Sequence, residues 1–474
     1  MIRRIALSLT TLAACASLAT AAPTYRVVDL GMLPGGLYSA PTGFGSGHTV
    51  LGSVTVSGGT YQHAVRWNLS ATGAVESLTD FGGLSGYTSS TAFGMNSSGW
   101  VVGCSNTAEP QPRPILWRNG QVIDLDRGGD GNANVYAFDV NESGLIVGMI
   151  TKSGGGSGWD AAIWSERPGS PGRFDRTFLP IPPQYAQVGW AEGHRVDESG
   201  RVFGRINLWF DGDRAVIWQN DAAHTPLLLE PLANSLMSMP GDMNDAGDAV
   251  GYTGYIYGMN GPTFWPRDTH TPTLLPIWEG DNGGEADVVS DDGTIVLGRS
   301  FLLNYIPFPT ELVSSRLVLW ENGQVFELNA RLAPVSAGWE MKTAVDMNAD
   351  GWIAGTALFG GTMHSVVLVP VPAGLAVGDA APAHVALAQP WPNPARGDVR
   401  LAFTLPSESH ARLSIHDAQG RLVARLAEGA FAAGRHEQVW NGRDTNGSPV
   451  GPGMYFASFE SGGRRESVRI VRVQ

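Results

Sequence analysis

A segment that recurs seven times constrains the fold of this chain most strongly. Each copy has a turn of the type Asn-x-x-Gly, a short apolar stretch that ends in Gly and, after a loop, an apolar run that ends in Trp. The copy at 95–103 reads MNSSGWVVG and is followed by Trp117. The repeated glycines are Gly52, Gly103, Gly148, Gly204, Gly251, Gly298 and Gly355, and the repeated tryptophans are Trp67, Trp117, Trp164, Trp218, Trp265 and Trp320, with Leu368 in the seventh copy. A repeat this regular determines the architecture.

Each repeat unit offers four short strands. One lies before the Asn turn, one ends at the repeat glycine, one ends at the tryptophan, and one follows, as in QVIDL at 121–125. Successive repeat glycines lie 45 to 57 residues apart. Four strands at this spacing are typical of a propeller blade, whereas solenoids usually repeat faster.

The two ends of the repeat region complement each other. The seventh unit ends at 366–369 without a fourth strand, and 25–31 has a fourth-strand pattern with no unit before it. Pairing these segments would complete the last sheet and remove open sheet edges. The sequence therefore predicts an all-β fold in which a seven-bladed β-propeller, closed by the N-terminal strand, spans 22–370.

The repeated residues have structural explanations. Asn and Gly tolerate positive φ, and the Asn side chain can bind the turn backbone, so Asn-x-x-Gly suits a tight hairpin. The repeated tryptophans have a fixed place after an apolar run, which predicts a position in the core between blades. Five other tryptophans fall outside the repeated position and are candidates for ligand stacking: Trp100, Trp190, Trp209, Trp339 and Trp352.

Composition supports a secreted globular protein. The chain has 474 residues, of which 43% are hydrophobic and 16% charged, enough for two or more domains. Its 62 glycines and 30 prolines suit a turn-rich all-β protein. The net charge of -13 argues against a nucleic-acid partner, for which a basic face is expected.

The N-terminus has the pattern of an export signal over 1–21. Arg3 and Arg4 precede an apolar stretch, and Ala-Thr-Ala at 19–21 fits a cleavage site. A competing pattern is LAAC at 12–15, which matches a lipobox in which Cys15 would be lipidated. Both alternatives place the protein outside the cytoplasm, either extracellular or on the outer cell surface.

The chain has 2 cysteines, Cys15 and Cys104. Cleavage near Ala21 would leave one thiol and no disulfide. Cys104 directly follows a repeat glycine, at a position where the other copies carry Ser53, Met149, Arg205, Tyr252, Arg299 and Thr356. A position that accepts so many residue types is not that of a required nucleophile.

A second domain follows the repeats. Ala- and Pro-rich sequence at 371–383 is typical of a linker. From 384 to 474 a new pattern of alternating strands and turn signals predicts a small Ig-like β-sandwich.

The region 389–474 resembles the C-terminal sorting domains of the type IX secretion system and the related Ig-like domain of flagellar hook capping proteins. The resemblance rests on Pro-Asn-Pro at 392–394, the turn at 417–421 with Val423, Gly434 before His436, Trp-Asn-Gly at 440–442, and Gly453 with Tyr455. It implies an outer-membrane export machine as partner and no catalysis, with Arg469 or Arg472 as the basic residue near the end. A plain Ig-like accessory domain without sorting activity is the alternative.

The repeat region resembles the HAF repeats of secreted bacterial proteins. Copies carry the Asn and Gly turn, an Ala-x-x-Trp strand and a following Asp-Leu, as in HAVRW at 63–67. The resemblance covers 25–369 and implies an extracellular propeller-like protein rather than a particular activity.

No known catalytic, cofactor or metal motif stands out. Gly-x-Ser-x-Gly and His-Glu-x-x-His are absent, and the segment at 290–294 has the wrong spacing for a sialidase box. Gly-Gly-Gly at 154–156 lacks the residues of a phosphate loop. The oxygen-rich segment at 126–134 is either a calcium site or a polar loop.

Two functions follow from these observations. The first is a non-catalytic secreted or surface-attached propeller that binds an extracellular glycan or protein as a monomer. The second is a propeller enzyme, a glycoside hydrolase or lyase, that uses carboxylates from several blades. Carboxylates outside the repeat turns are the candidates for that chemistry: Glu192, Asp211, Asp213 and Glu279.

Overall fold

The chain divides into two compact units, Met1–Val371 and Pro372–Gln474. The computed structural model describes residues 23–33, 36–56, 59, 61–106, 112–126, 134–151, 158–186, 189–254, 260–304, 311–371, 386–387, 390, 395, 397–405, 408–431, 434–462 and 464–473. The predicted export signal with Cys15, most of the oxygen-rich segment and most of the linker lie outside these residues. The described residues form strands and short 3-10 helices, so the all-β prediction is confirmed.

The described part of the first unit consists of seven four-stranded antiparallel sheets. The strands are β1 (Thr24–Asp29), β2 (Ser39–Phe44), β3 (Thr49–Val56), β4 (Tyr61–Leu69), β5 (Val75–Gly82), β6 (Ser89–Met95), β7 (Val101–Asn106), β8 (Arg113–Arg118), β9 (Gln121–Asp124), β10 (Val135–Val140), β11 (Ile146–Thr151), β12 (Trp159–Glu166), β13 (Phe174–Phe178), β14 (Trp190–Val196), β15 (Val202–Asn207), β16 (Asp213–Trp218), β17 (Pro226–Leu229), β18 (Met237–Met243), β19 (Ala249–Gly254), β20 (Gly261–Trp265), β21 (Thr273–Leu274), β22 (Gly283–Val289), β23 (Ile295–Asn304), β24 (Glu311–Glu321), β25 (Gln324–Glu327), β26 (Trp339–Met347), β27 (Ile353–Phe359) and β28 (Thr362–Val371). Sheets 1 to 6 take four consecutive strands each, from β2–β5 to β22–β25, and sheet 7 has the order β1-β28-β27-β26. This arrangement is propeller-like.

Strand β1 is the outer strand of sheet 7. It runs antiparallel to β28, with Thr24 opposite Val371 and Asp29 opposite Val366. The backbone N–H of Leu30 extends the pairing by donating to Ser365 O at 2.9 Å. The first and last strands of this unit therefore share one sheet.

Seven apolar clusters lie between neighbouring sheets, one at each junction from sheets 1 and 2 round to sheets 7 and 1. Each repeat tryptophan packs against the preceding sheet and is at most 5% exposed. The indole N–H groups of Trp218, Trp265 and Trp320 donate to backbone carbonyls of the preceding connection at 2.7 to 2.9 Å. The repeated Trp is thus core between sheets.

The repeat glycines allow two strands to approach closely. A Cβ atom at any of the seven would lie 1.9 to 2.2 Å from a backbone carbonyl oxygen of the first strand of its own sheet. None of them has a positive φ, unlike the turn glycines such as Gly99 (φ 78°) and Gly144 (φ 81°). The strands also continue past the repeat glycine, as β7 does past Gly103 to Asn106. Close approach is therefore the reason for this glycine, while positive φ is the reason for the turn glycine.

The Asn of the turn joins adjacent sheets. Asn141 Oδ1 accepts the N–H of Leu145 at 3.0 Å within its own turn, and its Nδ2 donates to Asp197 O of the next sheet at 3.0 Å. Asn96 makes the same pair of contacts one sheet earlier. One side chain thus closes its turn and holds the neighbouring turn in place.

The second unit forms two small sheets around one core. Its strands are β29 (Ala386–Leu387), β30 (Val399–Leu405), β31 (Ser409–Asp417), β32 (Leu422–Phe431), β33 (Gly434–Trp440), β34 (Gly453–Ser461) and β35 (Arg464–Arg472). The sheet orders are β29-β30-β33 and β32-β31-β34-β35. Trp440, Phe403 and Phe459 are almost fully buried between them. The Tyr455 hydroxyl donates to Gly451 O at 2.8 Å, which ties a loop to strand β34.

No helix among the described residues is long and apolar enough to cross a membrane.

Candidate functional site

A β-bulge at the same place in every sheet shapes the centre of the first unit. The bulge lies in the first strand of each sheet, that is, in β2, β6, β10, β14, β18, β22 and β26. The strand pairing there skips one residue, and this residue lies three positions before the Asn position of the turn. Bulges redirect side chains and are frequent next to functional sites. The residues just after the bulges are Gly43, Gly94, Asp139, Arg195, Asp242, Val288 and Asp346.

Four of these residues form a charge cluster, in which Asp242 and Asp346 are buried while Asp139 and Arg195 are partly exposed. Arg195 Nε lies 3.2 Å from Asp242 Oδ1, and its Nη2 lies 3.7 Å from Asp346 Oδ1. The charge of Asp242 raises the pKa of Arg195. Burial raises the pKa of Asp346 to about 6 and also raises that of Asp139, although Arg195 opposes both shifts.

The same carboxylates hold neighbouring sheets together. Asp139 Oδ2 accepts the backbone N–H of Val196 at 3.0 Å, and Asp242 Oδ2 accepts that of Val289 at 3.2 Å. Asp346 Oδ2 accepts the N–H of Phe44 at 2.7 Å, which ties sheet 7 to sheet 1. The three carboxylates therefore bind backbone N–H groups of the neighbouring sheets.

A polar cavity of about 430 Å³ lies at this end of the unit, the turn end, among the charge cluster and the Asn turns. Acidic residues from the turns line it, including Glu142, Glu198 and Asp245. These too accept backbone groups, because Ser97 N donates to Glu142 at 2.6 Å and Glu142 N donates to Glu198 at 3.1 Å. Among the described residues, no group of three or more His, Cys, Asp or Glu is placed to hold a metal ion.

The opposite end of the first strands carries a different cluster, in sheet 4. Arg205 Nη2 lies 3.0 Å from both carboxylate oxygens of Glu192, and its guanidinium lies 4.6 Å from the ring centre of Trp190. Asp213 approaches the other side of Arg205, at 4.0 Å. Burial opposes ionisation of Glu192, but contacts with His194 and Arg205 outweigh it and lower its pKa. This carboxylate is therefore an ionised acceptor.

A second arginine cluster lies in sheet 6. Arg299 donates to Glu285 at 2.6 Å and approaches Asp287 at 3.5 Å. Burial raises the pKa of Asp287 to about 6, against the influence of Arg299. In sheet 5, burial and the charge of Glu285 raise the pKa of Tyr252, and Arg205 opposes this shift. We call the residues of these two clusters, with Tyr252, the arginine end of the unit.

Aromatic side chains extend from the bulges towards the arginine end. Phe138 lies 5.3 Å from Phe93 of the preceding sheet and stacks on Tyr136 at 5.7 Å between ring centres. Tyr136 meets the edge of Trp159 at 6.0 Å. The arginine end therefore combines aromatic surface, guanidinium groups and carboxylates, which can bind hydroxyl, amide and anionic groups.

The tryptophans predicted to be available for stacking differ in their surroundings. Trp352 is buried against His48, and Trp339 stacks on Phe359 at 4.6 Å. Arginines cover the rings of Trp100 and Trp190. Trp209 is 53% exposed.

The carboxylates predicted for catalysis do not all come together. Glu192 and Asp213 both face Arg205. Asp211 instead accepts the Tyr185 hydroxyl at 2.5 Å, and Glu279 lies exposed in a turn.

Sequence reasoning did not single out Arg205, Tyr252 and Arg299 of the arginine end. All three occupy the position after a repeat glycine, and the variability of that position argued only against a required nucleophile there. Cys104 at the same position is buried, and burial raises its pKa to about 12, so that copy carries no reactive thiol. The residue type after the repeat glycine varies while the glycine does not, and this contrast is the sequence signal that could have located the arginine end.

Comparisons with known proteins bear mainly on the second unit. Residues 393–463 match the family model described as the FlgD Ig-like domain. The predicted Ig-like domain is confirmed. None of the curated protein sequences compared with the chain matches it.

Solved structures show distant likenesses. One is PorZ, described as an essential bacterial surface component of the type-IX secretion system of Porphyromonas gingivalis, with a TM-score of 0.43 and 14% identity over 91% of this chain and 59% of PorZ. Another is a prolyl endopeptidase, with a TM-score of 0.41 and 8% identity over 81% of this chain and 55% of that one. Prolyl oligopeptidase B from Galerina marginata has a TM-score of 0.41 and 10% identity over 70% of this chain and 46% of that one. The chain thus spans less than two thirds of each of these proteins, and likenesses this distant assign no activity to it.

Proposed function

We propose that the chain is an exported, non-catalytic seven-bladed β-propeller that binds an extracellular glycan or protein at its arginine end. In this proposal sheets 1 to 7 are the blades of a propeller over 22–370, residues 1–21 are the export signal, and 371–383 is a linker. The pairing of β1 with β28 and the Asp346–Phe44 hydrogen bond support closure of the ring. The repeated Gly then has a structural role in every blade, and the repeated Trp in six of the seven.

The main support for a binding function is that a carboxylate pairs with an arginine in each of the two clusters. Glu192 and Glu285 both lie within 3.0 Å of a guanidinium nitrogen. A carboxylate that is paired with a guanidinium group is a poor proton donor but a good hydrogen-bond acceptor. The half-buried Trp190 and Tyr252 beside them add apolar surface for a ligand.

Binding is tested with fluorescently labelled protein and the extracellular material of the native host. We expect the protein to bind this material, with periodate abolishing binding to a glycan and protease abolishing binding to a protein. The Arg205→Ala/Arg299→Ala double variant should bind at least tenfold more weakly. Arg167→Ala is the control, because Arg167 is a 56% exposed arginine that pairs with Asp175 away from this end. If the double variant binds as tightly as the wild type, the ligand does not bind at the arginine end.

We also propose that the Ig-like domain, over 384–474, is the sorting signal for an outer-membrane export machine. The match to the FlgD Ig-like domain supports the fold of this region. Mass spectrometry of protein from the cell envelope and the medium of the host tests the proposal. A chain that starts at Ala22 and has lost the region after the linker would support export and sorting, whereas a lipidated Cys15 with an intact C-terminus would contradict sorting.

A propeller enzyme acting on extracellular polysaccharide is the second candidate, because of Asp287. Glycoside hydrolysis needs one carboxyl group with a raised pKa as the acid and a second, ionised carboxylate. Asp287, with a pKa of about 6, and Glu285 share Arg299 as a partner. Release of reducing sugars from polysaccharide by the wild type, lost in Asp287→Asn, would favour this candidate over the binding function.

A further inference from the structure

The hairpin between β15 and β16 presents an exposed tryptophan in an unfavourable backbone conformation. Trp209 has φ of 59°, in the left-handed region, and its side chain is the one exposed tryptophan among the described residues, at 53%. A bulky residue adopts this conformation at a cost, and such outliers concentrate at ligand sites. The hairpin therefore keeps an indole ring 53% exposed at a position where glycine would relieve the backbone conformation.

Several contacts hold the hairpin in this shape. Leu208 N donates to Gly212 O at 3.0 Å, and Leu208 itself is buried in the core between sheets 3 and 4. Tyr185, in the connection before sheet 4, donates to Asp211 at 2.5 Å. Arg214 donates to the carbonyls of Asp211 and Leu236 at 2.8 and 2.7 Å, which joins the hairpin to the connection after sheet 4. A loop tethered on both sides loses little conformational entropy when it binds a ligand.

Polar groups beside the ring continue into the arginine end. Asn207 Oδ1 accepts the backbone N–H of Trp209 at 3.1 Å, and Asn207 Nδ2 donates to Asp213 Oδ1 at 2.8 Å. The other oxygen of Asp213 lies 4.0 Å from Arg205. A carboxylate can accept about four hydrogen bonds, so Asp213 has capacity for ligand hydroxyl groups.

We infer that this hairpin is a saccharide subsite, in which a pyranose ring stacks on Trp209 while its hydroxyl groups bind Asp213 and Asn207. The inference rests on the proposed binding function and identifies its ligand as a glycan. The apolar face of a pyranose matches an exposed indole, and neighbouring hydroxyl groups match a carboxylate next to an amide. The exposed Leu236, at 53%, borders the same hairpin and widens the apolar surface.

The test uses the full chain and an array of neutral, acidic and amino polysaccharides and oligosaccharides, followed by calorimetric titration with the oligosaccharide that binds best. Three variants change the subsite: Trp209→Gly, Trp209→Phe and Asp213→Ala. Phe178→Ala is the matched control, because Phe178 is a 50% exposed aromatic residue in β13 with no positive φ. Thermal unfolding of each variant is measured alongside.

We expect Trp209→Gly and Asp213→Ala to weaken binding at least tenfold, while Trp209→Phe retains most of the affinity and Phe178→Ala retains all of it. The melting temperature of Trp209→Gly should equal or exceed that of the wild type, because glycine relieves the backbone conformation. A wild type that binds saccharide, with Trp209→Gly binding equally well, would overturn the subsite and leave the proposed function intact. A wild type that binds no saccharide on the array, yet binds protein from the host, would overturn the glycan inference alone. Binding of neither would overturn both.

Discussion

The close approach at the repeat glycines leads to a sharp prediction for Gly103→Ala. The new Cβ would lie 1.9 Å from the Thr91 carbonyl oxygen and 3.0 Å from Cζ3 of Trp117. A carbon normally stays about 3.3 Å from a carbonyl oxygen, so strands β6 and β7 would have to separate by about 1.4 Å. Overpacking of this kind costs about 1–3 kcal/mol, and weakening two ladder hydrogen bonds costs about 1–2 kcal/mol more. We therefore expect the free energy of unfolding to fall by about 2–5 kcal/mol.

Gly99→Ala in the same repeat is the control for this prediction. Gly99 has φ of 78°, and a methyl group on its Cα would meet no atom within 4 Å, so its replacement has a backbone cost without a clash. That cost is about 1–2 kcal/mol. Thermal and denaturant unfolding of both variants, followed by tryptophan fluorescence, measures the difference. If Gly103→Ala proves as stable as Gly99→Ala, close approach does not explain the repeat glycine.

Three further predictions concern stability. Trp218→Phe should cost about 1 kcal/mol more than Trp164→Phe in denaturant unfolding, because the Trp218 indole donates to Pro180 O while the Trp164 indole nitrogen has no hydrogen-bond partner among the described residues; equal losses would contradict this role. The pKa of Asp346 is raised from 3.8 to about 6, so the folded state binds more protons between these values. The contribution of Asp346 to the free energy of unfolding should therefore fall by about 3 kcal/mol as pH rises from about 4 to 7. In Asp346→Asn the free energy of unfolding should depend less on pH over this range, and an unchanged pH dependence would contradict the raised pKa of Asp346. Deletion of β1 should expose the edge of β28 and cause a lower melting temperature and self-association in size-exclusion chromatography; an unchanged monomer would show that β1 is dispensable.

Much of the fold could be predicted from local patterns. The strands of each unit, the turns between them and the pairing of the N-terminal segment with the seventh unit all follow from alternation, turn residues and an unfilled fourth strand. Pattern also predicted the burial of the repeated tryptophans. The role of the repeat glycine was harder to predict, since a close approach depends on how a bulge in one strand places its carbonyl against the next.

Most of the candidate site could not be predicted from the sequence. Arg205, Tyr252 and Arg299 lie 47 residues apart in succession, and nothing local indicates that their side chains share one end of the unit. Glu192 stood out as a carboxylate outside the turns, but its partner could not be named. The sequence did not rank the stacking candidates either, because Trp209 is exposed and Trp352 is buried, and tertiary packing sets this exposure.

The sequence by itself determined the repeating β architecture of this protein, its Ig-like second domain and the residues that every repeat must share. These features depend on backbone preferences and on the alternation of apolar side chains, which act over a few residues. Only the tertiary structure decided which variable positions meet, which carboxylates hold the backbone and which face an arginine. Those outcomes depend on the bulges and on the packing of one sheet against the next, because contacts between residues from different repeats arise only when the sheets pack together.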